Sequence, residues 1–249
     1  MNVTLVKGMA LLEALAHSDR PLGVTEIATR LAIGKSNAHR ILRSLVELGY
    51  ARQDAASGLY AASIRLWELG SAMMSNLDLK RLAEPTMQQI LERTRENVHL
   101  SMLDGDEVVY VHKLDSPHPV RTFSRIGGRA PAYAAATGKV ILAYQGDAHL
   151  RALSRRLARQ TDATIVEPEA FLAEMAKIRK QDHAISHGEW RDGVRGVAVP
   201  IRDSRGQVIA ALGLSGPAER IRPALFKSLI AELADGAAVV ERELGGNNG

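Results

Sequence analysis

A break in a helical repeat is the feature that most restricts how this sequence can fold. Apolar residues recur at intervals of three and four over 24–31, and again over 38–48. Such spacing places apolar side chains on one face of a helix. The segment Ala32-Ile33-Gly34 separates the two runs, so we predict helices over 25–32 and 35–48 joined by a tight turn. Two short helices joined by a glycine-containing turn are typical of a helix-turn-helix.

The neighbouring segments predict a winged form of this motif. Apolar residues at helical spacing over 6–15 predict a preceding helix, whose apolar face includes Val6 and Met9. Gly49 is expected to end the helix that starts at 35. The stretch 50–61 then predicts a strand, a turn and a second strand, which is the pattern of a wing.

Positive charge is concentrated on this motif. The whole chain carries a formal net charge of +4, and residues 30–52 alone hold five basic side chains against one acidic side chain, a difference of four. A local basic surface is what phosphate binding needs. We therefore predict a DNA-binding surface on the second helix of the motif, with the alternative that the charges form a solvated face of a small helical domain. The candidate DNA-binding residues are Thr25 near the cap of the first helix, and Lys35, Ser36, Asn37, His39, Arg40 and Arg43 on the second.

Composition excludes several function classes. The 249 residues are 46% hydrophobic and 24% charged, as in ordinary globular chains of one or two domains. The absence of cysteine excludes disulfides, a thiol nucleophile, iron–sulfur clusters and cysteine-ligated zinc. There is no apolar run of about 18 residues and no secretory signal at the start. We expect a cytoplasmic protein.

The rest of the chain predicts an α+β domain reached through a linker. Apolar residues at helical spacing over 63–77 predict a linker helix that either pairs with a second copy or packs on its own chain. The expected domains are 1–62 (DNA binding), 63–78 (linker and dimerisation) and 79–249 (effector binding). Helices flanking an antiparallel sheet follow from the element order. We predict helices near 79–95, 134–144, 147–158, 168–181 and 222–244, and strands over 97–103, 108–114, 120–123, 194–201 and 208–215.

Enzyme signatures are missing from the sequence. The pairs Gly34-Lys35 and Gly138-Lys139 lack the first glycine of a phosphate-binding loop. His183 and His187 are spaced as metal ligands on a helix would be, but their segment favours a strand or loop. His99 and His112 lie in strand patterns, and we expect them to be buried and hydrogen-bonded or partly exposed. No catalytic residue, metal or cofactor is predicted. Two alternatives stay open: a small-molecule enzyme or metal hydrolase fused to a helical domain, and a winged-helix protein-interaction module.

Several stretches, in order and at these spacings, resemble the isocitrate lyase regulator (IclR) family of bacterial transcription factors. The resemblance covers nearly the whole chain. It implies a winged helix-turn-helix followed by a GAF/profilin-like effector domain, with homodimers or tetramers bound to palindromic operators. It also implies a small organic acid as the effector, from a catabolic pathway and often aromatic or sugar-derived. The stretches that carry it are Thr25–Ala28, Ser36–Leu42, Gly127–Lys139, Gly188–Ile201 and Leu214–Pro217.

The same resemblance implies an effector pocket. A carboxylate is expected at the start of the predicted helix that contains Ala136 and Thr137, because free backbone N–H groups and the helix dipole favour an anion there. Family members often have larger or polar residues where Gly196 and Gly213 stand, so we expect a roomier pocket and a bulkier ligand here. The implied pocket residues are Ala130, Ala136, Thr137, Ser186, Val194, Gly196, Gly213 and Ser215.

Overall fold

The computed structural model describes residues 2–75, 78–122 and 124–246, with the side chains of 71–75 and 78 left out of the description. The chain separates into two compact units, Met1–Leu77 and Asp78–Gly249. Within the described residues, no helix is long and apolar enough to span a bilayer.

The first unit is a small helical domain with a two-stranded wing. Its core is built from the apolar faces of the first three helices, closed by Leu22 and Tyr60, whose backbones pair with each other. In order the elements are α1 (Val3–Ala16), α2 (Val24–Arg30), α3 (Lys35–Glu47), β1 (Ala51–Gln53), β2 (Tyr60–Ala62) and α4 (Arg65–Ser75).

The turns of this unit follow the predicted positions. Gly49 ends α3 with φ of 79°, and Gly58 closes the wing turn with φ of 72°, both in the left-handed region that glycine adopts without strain. Between α2 and α3, Ala32 takes φ of 50°, which is uncommon for a residue with a Cβ. The sequence therefore located the turn, although the left-handed residue is the alanine rather than Gly34.

Thr25 lies near the start of α2, as the second residue after the N-cap Gly23. One detail of the first unit differs from the sequence prediction. Val6 and Met9 are exposed, at 46% and 51%, because the buried stripe of α1 lies further along the helix at Leu11, Ala14 and Leu15. The first half of α1 extends beyond the core that α2 and α3 provide.

The second unit is a six-stranded antiparallel sheet with helices on both faces. The strand order is β5-β4-β3-β8-β7-β6, so that the two long hairpins meet at the β3–β8 pair. The strands are β3 (Asn97–Asp104), β4 (Glu107–Leu114), β5 (Arg129–Pro131), β6 (Ala184–His187), β7 (Val194–Arg202) and β8 (Val208–Pro217). The helices are α5 (Asp78–Thr94), α6 (Ala136–Leu142), α7 (Asp147–Ser154), α8 (Pro168–Gln181) and α9 (Phe226–Gly246).

Alternation along the strands divides this unit into two cores. Val98 and Leu100 of β3 pack with α5 and α9 on one face of the sheet. The other face is covered by α6, which packs on β3, β7 and β8 and is itself backed by α8. Every residue of α6 is buried. We call the sheet surface beneath α6 the inner face.

The largest error in the predicted secondary structure lies after β4. Residues 120–122 are irregular, and the predicted strand end at Phe123 lies outside the described residues. Pro117 and Pro119 stand just before this segment, and proline cannot donate to a sheet ladder. The edge strand β5 was not predicted, because three residues carry too short a pattern, whereas the segment of β6 was interpreted as a strand or loop. The last helix begins at Phe226 after a single 3-10 turn at Pro223–Leu225.

Candidate DNA interface and effector pocket

The outer face of α3 carries the predicted DNA-binding side chains. Ala38, Ile41, Leu42 and Leu45 anchor the opposite face in the core. Because a helix turns every 3.6 residues, this anchoring turns the polar positions outward. Lys35, Ser36, His39, Arg40 and Arg43 are exposed, Asn37 is half-buried, and Thr25 is exposed on α2.

Weak internal contacts hold two of these side chains. Arg40 Nη2 donates to Asn37 Oδ1 at 3.2 Å, and Arg43 Nε donates to Glu47 Oε1 at 3.0 Å. The Arg43–Glu47 pair is solvent-exposed, with 76% and 63% of the two side chains accessible. Exposed pairs of this kind contribute little to stability. The guanidinium groups can therefore exchange these partners for phosphate or base edges.

The start of α3 adds a favourable end for anions. Its N-cap is Gly34, which makes no side-chain hydrogen bond to the first turn. The backbone N–H groups of a first helical turn have no partner within the helix. They and Lys35 lie at the end of α3 that a helix-turn-helix presents to the major groove.

Two further exposed arginines stand beside this surface but were not among the predicted contacts. Arg30 lies in the last turn of α2, and Arg52 is exposed on β1 of the wing. The charge count over 30–52 included both, and only their exposure in the fold singles them out. Arg20, in the segment before α2, pairs with Glu26, with guanidinium–carboxylate distances of 2.6 and 3.2 Å.

The inner face of the second unit brings most of the predicted pocket residues together. Gly196 of β7 pairs directly with Ser215 of β8, and Ser186 of β6 pairs with Gly196 on its other side. Ala136 and Thr137 are the first two residues of α6, which crosses these strands. Val194 is half-buried at the start of β7, and Ala130 is buried on β5, at the far edge of the sheet order.

The two glycines do not open the space that the sequence suggested. A Cβ at Gly213 would lie 2.6 Å from Thr137 Cγ2 and 2.9 Å from the Val197 carbonyl oxygen. A Cβ at Gly196 would lie 3.3 Å from the Ala136 Cβ. Helix α6 fills both positions, so the glycines allow it to approach the sheet closely. The inference of a roomier pocket at these glycines is wrong for this reason.

A chain of polar side chains runs along one end of the inner face. Ser215 Oγ lies 2.9 Å from His99 Nε2 and 2.9 Å from Thr122 Oγ1. Asn97 Nδ2 donates to Thr122 Oγ1 at 2.6 Å. Of these four residues, only Ser215 was predicted from the sequence. The other three are brought to it by the β3–β8 pairing and by the loop after β4, neither of which has a local sequence signal.

His99 is buried and only half satisfied. Its ring lies 5.0 Å from the Tyr110 ring, centroid to centroid. Burial, with a smaller contribution from Lys113, lowers the pKa of His99 to about 4, so the ring is neutral near pH 7. Among the described residues, no group bonds its Nδ1. The expectation of a fully hydrogen-bonded histidine is therefore met at only one of the two ring nitrogens.

Behind the pocket residues, Lys139 of α6 is buried at 1% exposure. Its Nζ lies 2.8 Å from Glu189 Oε1, 3.0 Å from Glu174 Oε1 and 3.0 Å from the Ile185 carbonyl oxygen. Burial raises the pKa of Glu189, and Lys139 offsets this only in part. For the more exposed Glu174 burial acts in the same direction, but Lys139 and Lys177 outweigh it and lower the pKa.

The remaining histidine pair does not form a helical metal site. His187 ends β6, and His183 immediately precedes that strand, with its Nδ1 2.8 Å from the Gln181 carbonyl oxygen. In the described part of the chain, no group of three histidine, aspartate or glutamate side chains is placed to hold a metal ion.

Two family profiles together match almost the entire chain. The profile described as the IclR helix-turn-helix domain matches residues 4–55. The profile described as the bacterial transcriptional regulator IclR C-terminal domain matches residues 71–242. The profiles thus match the parts of the chain that contain the α3 surface and the inner face.

Full-length relatives agree with these profiles. The chain is 34% identical to the HTH-type transcriptional regulator KdgR of Escherichia coli K12 over 97% of this chain and 92% of the relative. It is 32% identical to XynR, an HTH-type transcriptional regulator of the same organism, over 96% of both chains. A crystal structure of an IclR homolog from Microbacterium hydrocarbonoxydans, complexed with 4-hydroxybenzoate, matches with a TM-score of 0.85 and 28% identity, over 97% of this chain and 98% of that one.

Proposed function

This chain belongs to the IclR family of bacterial transcriptional regulators, and we propose that it binds a palindromic operator as a homodimer or homotetramer and responds to a small carboxylate effector. Its proposed role is regulatory rather than catalytic. Since bacterial DNA lies in the cytoplasm, we expect the protein to act there. We propose that the genes it controls are catabolic, as the resemblance implies.

One observation carries the DNA-binding part of the proposal: α3 is anchored by one apolar face and exposes a polar, cationic face on the other. In a dimer, two such helices can enter successive major grooves about 34–36 Å apart. Lys35, Arg40 and Arg43 would contact phosphates or guanines, and Asn37 and His39 would contact base edges. Ser36 and Thr25 would position the motif on the backbone.

Assembly through the linker helix has support in the described part of α4. Trp67 and Leu69 are exposed at 68% and 50%, and Ile64 just before the helix is exposed at 68%. Of the apolar residues that predict the helix over 63–77, Leu69 is among these exposed ones, whereas Met73 and Leu77 lie outside the described side chains. Large exposed apolar side chains on one helix suit pairing with a second copy. Sedimentation of the full chain checks this, and a monomer at micromolar concentration would contradict it.

The DNA-binding proposal is tested by selecting random double-stranded DNA with the purified full-length protein and sequencing the bound fraction. We expect an enriched inverted repeat with half-sites one helical turn apart or a multiple of it. Salt-dependent binding without an enriched repeat, both alone and with a pool of aromatic and sugar acids, would favour the protein-interaction alternative. Loss of binding in a Lys35→Ala/Arg40→Ala double variant would locate the contact on α3.

The effector part is proposed for the inner face, at Ala130, Ala136, Thr137, Ser186, Val194, Gly196, Gly213 and Ser215. The enriched operator supplies the probe, since an effector is an acid that changes operator affinity in a fluorescence-anisotropy titration. We expect Ser215→Val to weaken that response and Ser228→Val, at an exposed serine of the same unit, to leave it unchanged. An unchanged response in Ser215→Val would remove Ser215 from the site.

A further inference from the structure

Strand β3 presents two buried polar side chains on the inner face of the sheet. Val98 and Leu100 belong to the core formed with α5 and α9, so the alternate residues His99 and Ser101 face the other way. His99 is 4% exposed and Ser101 is completely buried. His99 pairs in register with Gly213, the position against which Thr137 of α6 packs. The two side chains thus lie on the surface where the proposed effector residues meet.

The direction of the hydrogen-bond chain sets which nitrogen of His99 is protonated. Thr122 Oγ1 accepts from Asn97 Nδ2, and either hydroxyl can be the donor between Thr122 Oγ1 and Ser215 Oγ. Taking Thr122 as the donor gives its hydroxyl proton an acceptor, so that Ser215 donates to an unprotonated His99 Nε2. With this direction the proton of the neutral ring is on Nδ1. A chain of this polarity is favourable because successive hydrogen bonds strengthen each other.

This assignment leaves a buried donor without an acceptor. Among the described residues, neither His99 Nδ1 nor Ser101 Oγ has a hydrogen-bond partner. Nearly all buried polar groups in native proteins are paired, since an unpaired one is costly. Two unpaired groups on the same face of one strand can hydrogen-bond a molecule that reaches this surface.

The side chains around His99 indicate whether the ligand group that contacts Nδ1 is charged. Lys113 pairs with His99 in register, but its Nζ is held by Asp115 Oδ1 at 2.8 Å and by the Ser124 carbonyl oxygen. The ammonium is thus already committed beside the ring. The Tyr110 ring, 5.0 Å from the imidazole, adds an aromatic wall. Because the Lys113 cation is already paired, a carboxylate buried here would lack a counter-ion, whereas an uncharged oxygen needs none.

We propose that His99 Nδ1–H and the Ser101 hydroxyl bind an uncharged oxygen function, a keto or hydroxyl group, of the effector. The effector is then an acid with a second oxygen function, and these two residues decide between such an acid and its deoxygenated analogue. This inference rests on the proposed effector-binding function and adds a specificity site to it. Neither residue was among those that the sequence assigned to the pocket.

The test compares acids that differ by one oxygen. Binding of benzoate and 4-hydroxybenzoate, and of propionate, lactate and pyruvate, is measured by calorimetry on the full-length protein. For at least one set we expect the oxygenated acid to bind about tenfold or more tightly than its analogue, because the analogue leaves the buried donor unpaired. In His99→Gln the ratio should fall to near one, since the glutamine amide can keep the Ser215 contact but has no group at the Nδ1 position.

His99→Asn is the matched control, because its amide nitrogen lies near the position of Nδ1. It should keep part of the discrimination that His99→Gln loses, and Ser101→Ala should lose part of it. Equal loss in the two His99 variants would assign the effect to packing and overturn the proposal. Thermal unfolding of each variant shows that the fold is retained.

Imidazole nitrogen NMR on ¹⁵N-histidine protein gives a second, independent readout. We expect a neutral ring protonated at Nδ1 in the free protein, with an Nδ1 shift on addition of the bound acid. An Nε2-protonated ring that does not respond would overturn the proposal.

The outcomes also separate this proposal from the one before it. If the protein binds every deoxygenated acid as tightly as its oxygenated partner, the role of His99 and Ser101 is wrong while the effector function stands. If no acid in a wider pool of aromatic and sugar acids binds the protein or changes its operator affinity, the acid-effector function is contradicted together with this site.

Discussion

The two units of this protein use positive charge in opposite ways. On α3 the cationic side chains Lys35, Arg40 and Arg43 are exposed and weakly held. On α6 the ammonium of Lys139 is 1% exposed and lies within hydrogen-bond distance of two carboxylates. An exposed charge costs the fold little and remains available to a ligand. A buried charge is committed to its partners, because leaving them unpaired is costly.

The difference places DNA binding and stability on different side chains. Replacing an α3 cation should change DNA binding and leave folding almost unaltered. Replacing a buried polar group of the second unit should change folding, and at the proposed effector site it should change effector binding as well. Four substitutions, from the largest expected effect to the smallest, test this contrast.

Lys139→Met should have the largest effect. It leaves Glu189 buried without its cation, and removing one partner of a buried pair costs about 3–5 kcal/mol. Chemical denaturation, followed through the unfolding transition of the second unit, measures this loss in the free energy of unfolding. Lys177→Met is the matched control. Lys177 Nζ lies 3.6 Å from Glu174, the second carboxylate that Lys139 contacts, but its side chain is 65% exposed. A comparable loss in the two variants would show that burial does not distinguish them.

His99 should make the stability of the second unit depend on pH. Its folded pKa of about 4 lies below the ordinary value of 6.5, so unfolding takes up a proton between these values. Stability should therefore fall as pH falls from about 6.5 to 4, by roughly 3 kcal/mol from this residue. Burial dominates the shift, Lys113 adds to it and Asp115 opposes it. The Tyr110 ring and Ser215 also face this imidazole.

His99→Gln isolates this contribution. The pKa values of His112 and His187 are also lowered by burial, and both residues remain in the variant. Between pH 4 and 6.5 the free energy of unfolding should change less with pH in the variant than in wild type. If urea denaturation gives both proteins the same change in free energy of unfolding between pH 5 and pH 7, the folded-state pKa of His99 is contradicted.

Arg40→Ala should weaken operator binding by about 1–3 kcal/mol if the guanidinium reads a guanine, with relaxed specificity at one base pair. A uniform loss on all sequences would assign Arg40 to a phosphate instead. Fluorescence anisotropy on the selected operator measures both. Arg20→Ala, which removes an equal charge from the same unit, should bind almost as wild type, because Arg20 lies outside α3, in the segment before α2. A change of more than a few tenths of a kcal/mol in the free energy of unfolding of Arg40→Ala would contradict the contrast between exposed and buried cations.

Glu47→Gln should have the smallest effect. It releases Arg43 from an exposed i,i+4 pair, which costs α3 about 0.3–0.5 kcal/mol at most. It also removes a negative charge beside the phosphates, so operator affinity should rise a few-fold at low salt and converge with wild type at high salt. Glu13→Gln on α1 is the control for net charge. An equal gain there would assign the effect to overall charge rather than to Arg43.

The first unit was largely predictable because its determinants are local. The apolar spacing of α2 and α3, Gly49 and the wing turn each act within a few residues. The exceptions involve distance in the chain. Whether Val6 and Met9 are buried depends on how far α2 and α3 extend beneath α1, which no local pattern encodes.

The inner face shows the opposite case. The resemblance implied that Gly196 and Gly213 leave room, yet the close approach of α6 fills both positions. His99 was expected to be satisfied because a buried histidine usually is, and its half-paired state depends on Ser215, 116 residues further along the chain.

By itself, the sequence determined the helix-turn-helix, the cationic face of α3 and the membership of a regulator family, because periodicity, charge and motif order are written in neighbouring residues. The tertiary structure alone decided which polar groups lose water and which partners they find. Burial arises when strands distant in the chain pair and a helix closes over them. Only then does a histidine become neutral, a lysine become committed to two carboxylates, and a donor remain open to a ligand.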